Sequence, residues 1–156
     1  MLMKDKGRTH AMRKYEVVLE RLDGHGSVLS CKDVEFVVDT DPDGRSDALN
    51  PAELLLGALA GCIAKGIKRV APLLQFRYTG LTVRVTGERQ DEPPRMARIA
   101  YIVEIETDES DRRLELLHEN VRKFGTVYNT LTAGTELSGR LIRTPRQTAA
   151  TGQLPD

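Results

Sequence analysis

The first forty residues alternate short apolar segments with turn residues, a pattern typical of an antiparallel meander. Residues 15–20 are apolar enough for a strand, and residues 23–26 supply the Asp and Gly of a tight turn. Residues 27–31 and 34–39 have the length and composition of two further strands. The pattern predicts three sequential strands, followed by a polar loop over residues 39–50.

A long apolar helix is predicted directly after that loop. Asn50 suits the N-cap, Pro51 suits the first helical position, and Glu53 in the first turn complements the helix dipole. No residue from 54 to 64 is charged, so every side of this helix must be buried. A chain of 156 residues can hardly bury it alone, so we expect a partner subunit. The helix is expected to end near residues 71–72.

The remainder of the chain predicts a hairpin, two helices and a final strand. Strands are expected over 81–88 and 99–107, with Pro93 and Pro94 in the loop between them. The further elements are an amphipathic helix over 110–124 that stops at Gly125, a short helix over 126–132 and a strand over 137–143. This order indicates an α+β fold with one domain over residues 13–143 and flexible tails at 1–12 and 144–156.

Composition excludes several functions. Lys plus Arg and Asp plus Glu both number 23, so the net charge is zero and nucleic acid is not an expected partner. No apolar run reaches the roughly 20 residues of a membrane helix, and the first residues lack the apolar segment of a secretory signal. We therefore expect a cytoplasmic protein without membrane contact. Two Cys and three His do not suggest a metal site, and no cofactor is expected.

Cys62, in the middle of the apolar helix, is the main candidate for chemistry. A buried Cys is commonly a packing residue, whereas a reactive thiolate needs a nearby cation. Lys65 and Arg69 lie near the same side of the helix. Glu53 lies about 180° around the helix and about 13 Å along its axis from Cys62. Glu53 and Cys62 could therefore meet only across a two-fold axis or through a third group.

Three other features favour structural interpretations. Cys31 is expected to be an ordinary strand residue, with a role as partner thiol for Cys62 as the alternative. Residues 39–44 are similar to the opening of a calcium loop, but Asn50 stands where that loop needs a bidentate Glu, so a solvated loop is expected. His118 flanks the apolar stripe of its helix and is expected to pack in the core.

Two segments carry a family resemblance. Residues 50–62, Asn-Pro-Ala-Glu-Leu-Leu-Leu-Gly-Ala-Leu-Ala-Gly-Cys, resemble the central helix of the OsmC/Ohr family of osmotically inducible and organic hydroperoxide resistance proteins. Residues 123–131 resemble the second signature of that family, and the order of elements over 13–143 matches. The resemblance implies an OsmC-like fold, in which antiparallel sheets surround a long buried central helix, and an intertwined homodimer.

The resemblance also implies thiol peroxidase chemistry. A thiolate attacks the O–O bond of an organic hydroperoxide, a second Cys condenses with the resulting sulfenic acid, and an external dithiol reduces the disulfide. By motif, Cys62 falls on the peroxidatic position. Glu53 is the candidate for the catalytic Glu, although Ala52 occupies the usual place. Arg21 is the nearest candidate for the activating Arg, with Arg45 as the alternative.

One departure from the family pattern changes the expected chemistry. The resolving Cys of the family falls on Gly125, and Thr126 replaces the usual Pro, so the two-cysteine cycle is excluded. The first hypothesis is a one-cysteine hydroperoxide reductase of oxidative stress defence, resolved by an external thiol or by Cys31. The alternative is a non-catalytic OsmC-like homodimer that binds a small apolar or thiol ligand at its interface. A cation beside Cys62 would favour the first hypothesis.

Overall fold

The computed structural model describes residues 12–145, so nearly all of the predicted tails, 1–12 and 144–156, lies outside the described residues. The chain divides into two compact units, the first ending at Pro51 and the second beginning at Ala52. The elements are β1 (Val18–Arg21), β2 (Gly26–Cys31), β3 (Val34–Asp39), α1 (Pro51–Leu73), β4 (Gly80–Asp91), β5 (Pro94–Glu106), α2 (Asp111–Phe124), α3 (Thr126–Thr132) and β6 (Glu136–Thr144). The predicted α+β class is confirmed.

The first unit is the predicted antiparallel meander, in the order β1-β2-β3. The Asp23 carboxylate accepts the backbone N–H groups of His25 at 2.8 Å and Gly26 at 2.9 Å, which closes the turn between β1 and β2. β1 begins at Val18, three residues later than predicted, and Val18 pairs with Ser30 near the end of β2. In this register Val17 would lie opposite Cys31, the last residue of β2, and residues before Val17 would run past the end of that strand.

The polar loop after β3 is held by its own carboxylates. Asp39 accepts the backbone N–H groups of Asp41 and Arg45, each at 3.0 Å, and Asp41 accepts that of Asp43 at 2.9 Å. Asp41 also contacts the His25 ring nitrogen Nδ1 at 2.7 Å, which raises the pKa of that imidazole. These carboxylates organise the loop through hydrogen bonds to its own backbone. This arrangement suits the solvated loop expected from the sequence, in which Asn50 replaces the bidentate Glu of a calcium loop.

Helix α1 begins at Pro51, as predicted, and includes Pro72 in its last turn. Its buried residues form one stripe: Leu59, Ile63, Gly66, Ile67, Val70 and Ala71. On the opposite side Gly57, Ala58 and Gly61 are exposed. Apart from the nearby backbone of α1 and the chain neighbours, no atom of residues 12–145 lies within 4 Å of a Cβ built on either glycine. A single chain therefore covers only one face of the helix, and burial of the other face by a partner subunit stays a prediction.

The second sheet has the order β4-β5-β6 and is mixed rather than antiparallel. β4 pairs antiparallel with β5, whereas β6 pairs parallel with β5 because α2 and α3 carry the chain back to the start of the sheet. The predicted hairpin is present and tight: β4 runs to Asp91, and Pro94 opens β5, a strand position that tolerates proline. β6 continues to Thr144, which was expected in the tail.

The core of the second unit lies between the sheet and the helices. Alternate residues of β5 are at most 2% exposed and share this core with the apolar stripes of α1 and α2. From β5 and α2 it contains Ile99, Tyr101, Val103, Ile105, Leu114, Leu117 and Val121. The period-two pattern of β5 and the helical pattern of α2 therefore point to the same core. None of the helices within residues 12–145 is long and apolar enough to cross a membrane.

A polar pair is buried inside this core. The Tyr101 hydroxyl and His118 Nε2 share a hydrogen bond of 2.5 Å, and the two side chains are 2% and 9% exposed. Gly139 faces Tyr101 across the β5–β6 pair, and a Cβ there would lie 2.2 Å from the ring, so only glycine leaves room for it. Burial, with a smaller effect of Arg122, lowers the pKa of His118 to about 4, and burial raises that of Tyr101.

This buried histidine predicts a loss of stability in weak acid. The folded chain holds His118 neutral down to about pH 4, whereas the unfolded chain protonates it near 6.5. The unfolded state therefore binds more protons between these values, and the free energy of unfolding falls with falling pH, by up to about 1.4 kcal/mol per pH unit. Urea denaturation between pH 7.5 and 4.5 measures this slope. The control, His118→Gln, should have a shallower slope, and equal slopes would contradict the assignment.

Candidate functional site

Cys62 lies at the border of the buried stripe of α1. Its thiol is free and half-buried, and the next residue, Ile63, is 1% exposed in the core. A Cβ built on Gly125 would lie 3.4 Å from Cys62 Sγ. The structure therefore brings together the two positions at which the family resemblance places the reacting and the resolving cysteine, although they are 63 residues apart in the sequence.

Gly125 forms the junction between α2 and α3. Its N–H donates to Arg122 O at 3.3 Å, and its own carbonyl accepts the N–H of Asn129 at 2.9 Å, which starts α3. A Cβ at this position would also lie 3.0 Å from Tyr128 Cβ and 3.1 Å from Val121 O. The backbone of this junction thus approaches the thiol closely because residue 125 has no side chain.

Arg69 stabilises the same junction from the side of α1. Its Nη2 donates to Phe124 O at 3.1 Å, and its guanidinium lies 5.8 Å from the centre of the Phe124 ring. Lys123 Nζ lies 5.4 Å from that ring centre. Arg69 is one of the candidate cations for Cys62, with a solvated basic end of the helix as the alternative, and its guanidinium binds the end of α2. Lys65, the other nearby candidate, has an exposed side chain.

Sequence reasoning missed two members of this junction, Phe124 and Tyr128. Tyr128 packs against Gly125 and makes an edge contact with Tyr101, with ring centres 6.4 Å apart. Phe124 supplies the carbonyl and the ring that hold Arg69. Both residues belong to the segment 123–131, which resembles the second family signature. That resemblance was the signal that could have indicated them, but the spacing of its residues does not show which helix the segment contacts.

Glu53 does not meet Cys62 within one chain. α1 is continuous from Pro51 to Leu73, so the nine residues between them correspond to about 13 Å along the axis and to nearly opposite sides. Glu53 is exposed in the first turn of the helix. In the folded chain Glu53 and Cys62 can therefore come together only across a two-fold axis or through a third group.

Both candidate arginines belong to the first unit. Arg21 is the exposed last residue of β1. Arg45 forms a bidentate ion pair with Asp47, with Nε–Oδ1 and Nη2–Oδ2 distances of 2.6 and 2.8 Å. This contact raises the pKa of Arg45 and lowers that of Asp47. Arg45 thus has a carboxylate partner within its own loop.

Cys31 is also in the first unit, where its half-buried thiol lies 3.3 Å from Glu16 O. This contact belongs to the meander and suits the expected role as a strand residue. Within residues 12–145 the structure contains no group of three or more His, Cys, Asp or Glu side chains that could hold a metal ion.

Several solved structures have a fold similar to that of this chain. An OsmC-like protein from Mycoplasma pneumoniae aligns with a TM-score of 0.78 at 20% identity, covering 85% of this chain and 98% of its own. An organic hydroperoxide resistance protein OsmC from Legionella pneumophila aligns with a TM-score of 0.64 at 14% identity, covering 83% and 98%. OhrB of Bacillus subtilis, another organic hydroperoxide resistance protein, aligns with a TM-score of 0.60 at 15% identity, covering 85% and 100%. At these identities the likeness concerns the fold.

The family assignment comes from the sequence. No curated protein matches the chain. The family model described as OsmC-like protein matches residues 43–138, which is more than half of the chain and includes α1, β4, β5 and the α2–α3 junction. The chain therefore belongs to the OsmC-like protein family.

Proposed function

We propose that this protein is a one-cysteine, thiol-dependent organic hydroperoxide reductase with Cys62 as the reacting residue. The observation that carries the proposal is the 3.4 Å approach between Cys62 Sγ and the side-chain position of Gly125. Membership of the OsmC-like family supports it, as do the names of similar structures, two of which are organic hydroperoxide resistance proteins.

In the proposed cycle the Cys62 thiolate attacks the terminal oxygen of the hydroperoxide. The O–O bond breaks, an alcohol leaves after taking a proton, and the thiolate becomes a sulfenic acid. An external thiol then condenses with the sulfenic acid to give a mixed disulfide and water. A second molecule of that thiol releases Cys62 and leaves as the external disulfide.

The need for an external thiol follows from the glycine at position 125. A cysteine at this position would start close enough to Sγ for a disulfide, but glycine provides no sulfur. The second sulfur therefore comes from a separate molecule, and the half-exposed thiol leaves a route for a small one. Cys31 is the alternative source within the chain, and the cysteine variants below distinguish the two.

We propose that the active form is a homodimer formed through α1 and the first sheet. α1 exposes Gly57, Ala58 and Gly61, small residues that let another backbone approach closely. The first unit leaves several large apolar side chains at least 38% exposed: Val18, Leu19, Val34, Phe36 and Val37. Apolar surface of this extent is typical of an association site. A two-fold axis between paired α1 helices is also the arrangement in which Glu53 of one copy can approach Cys62 of the other.

One observation favours a second candidate function. The guanidinium of Arg69 binds Phe124 O rather than extending along α1 to the thiol two helical turns away. Without a cation to stabilise a thiolate, the space beside Cys62 would serve a non-catalytic dimer that binds a small apolar or thiol ligand. Chemical trapping of the oxidised thiol separates the two functions.

Oxidation with one equivalent of cumene hydroperoxide in the presence of dimedone should add one dimedone to the protein, because dimedone traps sulfenic acids. Intact mass spectrometry measures the label. It should be lost in Cys62→Ser and kept in Cys31→Ser, the control for the other thiol. Absence of label in the folded wild type would make Cys62 a packing residue and favour the ligand-binding function. A mixed disulfide with added thiol that forms equally well in Cys31→Ser would exclude Cys31 as the resolving residue.

Gly125→Cys should restore a two-cysteine cycle. Residue 125 has φ −79° and ψ 111°, which any L-residue adopts. Because the new Cβ would contact Tyr128, we expect the substitution to lower the free energy of unfolding by about 1–3 kcal/mol. After peroxide treatment we expect an intramolecular disulfide, seen as the loss of two hydrogens and of dimedone labelling. Gly125→Ser carries a similar side chain without the sulfur, and Gly134→Cys places a thiol at an open surface position. If Gly134→Cys forms a disulfide with Cys62 and Gly125→Cys does not, the contact between residues 62 and 125 is refuted.

Gly61→Leu should disrupt the dimer while leaving the single chain folded. Apart from its chain neighbours and the nearby backbone of α1, no atom of the described residues lies within 4 Å of a Cβ at Gly61, so leucine fits within the chain but overpacks an α1–α1 contact. Light scattering at micromolar concentration should show a dimer for the wild type and monomer for the variant. Gly134→Leu, another exposed glycine with open space, should remain dimeric. A monomeric wild type would rule out the proposed assembly.

A further inference from the structure

The two segments that meet at the Cys62–Gly125 contact carry only positive charge. Neither residues 54–76 nor residues 120–135 contain an Asp or a Glu. Together they contain five basic residues: Lys65, Lys68, Arg69, Arg122 and Lys123. The surface near the thiol therefore has an excess of cations, although the net charge of the whole chain is zero.

Two of these cations lie next to the ring of Phe124. The Arg69 guanidinium is 5.8 Å from the ring centre and Lys123 Nζ is 5.4 Å from it, and all three side chains are exposed. Within residues 12–145 neither cation forms an ion pair with a carboxylate, not even Lys123 with Glu119 one turn earlier on α2. Arg69 donates to Phe124 O from Nη2, which leaves further N–H groups for a ligand. We call Arg69, Lys123 and Phe124 the cation cluster.

The cation cluster lies beside the position from which a second sulfur has to approach. Phe124 directly precedes Gly125, where the family resemblance places the resolving cysteine. Arg69 follows Cys62 by seven residues, which is about 10 Å along α1 and nearly the same side of the helix. An extended tripeptide spans about 10 Å. A cysteine with one residue on each side can therefore bring its sulfur to Cys62 and a carboxylate to the cluster.

We propose that the external thiol is a small acidic peptide thiol and that the cation cluster binds one of its carboxylates. This inference rests on the proposed function, in which Cys62 takes its second sulfur from a separate molecule. The carboxylate accepts hydrogen bonds from Arg69 and Lys123, and the Phe124 ring packs against the apolar part of the peptide. Thiols without a carboxylate lack this attraction and react more slowly.

The bound thiol completes the cycle in two balanced steps. Its sulfur attacks the sulfenic sulfur of Cys62, so that an S–S bond forms, the S–O bond breaks and the oxygen leaves as water with the thiol proton. A second peptide thiol attacks the peptide sulfur of this mixed disulfide. The S–S bond breaks, Cys62 regains its thiol and the peptide leaves as its own disulfide.

Thiol–disulfide exchange in the Cys31→Ser protein tests the cation cluster without hydroperoxide. Glutathione, a tripeptide thiol with two carboxylates, is added as its disulfide, and the disulfide of glutathione diethyl ester is the comparison compound without carboxylates. Cys62 attacks either disulfide, forms a mixed disulfide and releases one thiol, and intact mass spectrometry measures both rates. The ratio of the two rates, acid over ester, should fall by at least about threefold between low salt and about 1 M salt, where charges are screened.

Lys123→Gln should lower this ratio by about two- to fivefold at low salt, as expected for an exposed charge pair, and Lys123→Glu should lower it further. The matched control is Arg84→Gln. Val83 and Val85 pack against the core, so strand alternation places Arg84 on the other face of the sheet, and the ratio should stay unchanged.

A ratio that responds neither to salt nor to Lys123→Glu would overturn the inference, and so would the absence of exchange with both disulfides. The peroxidase proposal has its own readout in dimedone labelling. Charge-dependent exchange without dimedone labelling would refute the peroxidase function and still support the cation cluster as a carboxylate site.

Discussion

The packing of α1 on the central strand of the second sheet is the contact on which the rest of this unit depends. Leu59, Ile63 and Ile67 are at most 1% exposed, and replacing one such residue with alanine typically costs roughly 2–5 kcal/mol. This stripe sets the rotation of the helix. Because α1 cannot turn without exposing it, Cys62 is held at the border of the core and Gly61 on the open side.

The same rotation determines what can approach the thiol. Gly66, one turn after Cys62, lies against Val121 of α2, and a Cβ there would come within 3.0 Å of that side chain. The close approach of α2 carries Gly125 to Cys62 and lets Arg69 bind Phe124 at the end of the helix. The site thus consists of two helices and one turn whose positions follow from the core.

Helix α2 connects this site with the buried polar pair. Its middle provides His118 to Tyr101, and its end provides the junction on Cys62. Tyr128 of α3 contacts both Gly125 and Tyr101, so the two regions share packing. A neutral, buried histidine stabilises this arrangement only above the pH at which it becomes protonated.

The sequence by itself predicted the order and type of the elements and indicated Cys62 as the candidate thiol. Local signals were sufficient for the start of α1 at Asn50-Pro51, for the break at Gly125 and for the short helix over 126–132, because caps, proline and glycine act on neighbouring residues. Only the tertiary structure decided that β6 pairs parallel with β5, that α1 is covered on one face and that Arg69 binds Phe124. It also decided that Cys62 faces a glycine 63 residues away. These outcomes depend on contacts between distant segments, which the packing of the whole core selects and no local pattern specifies.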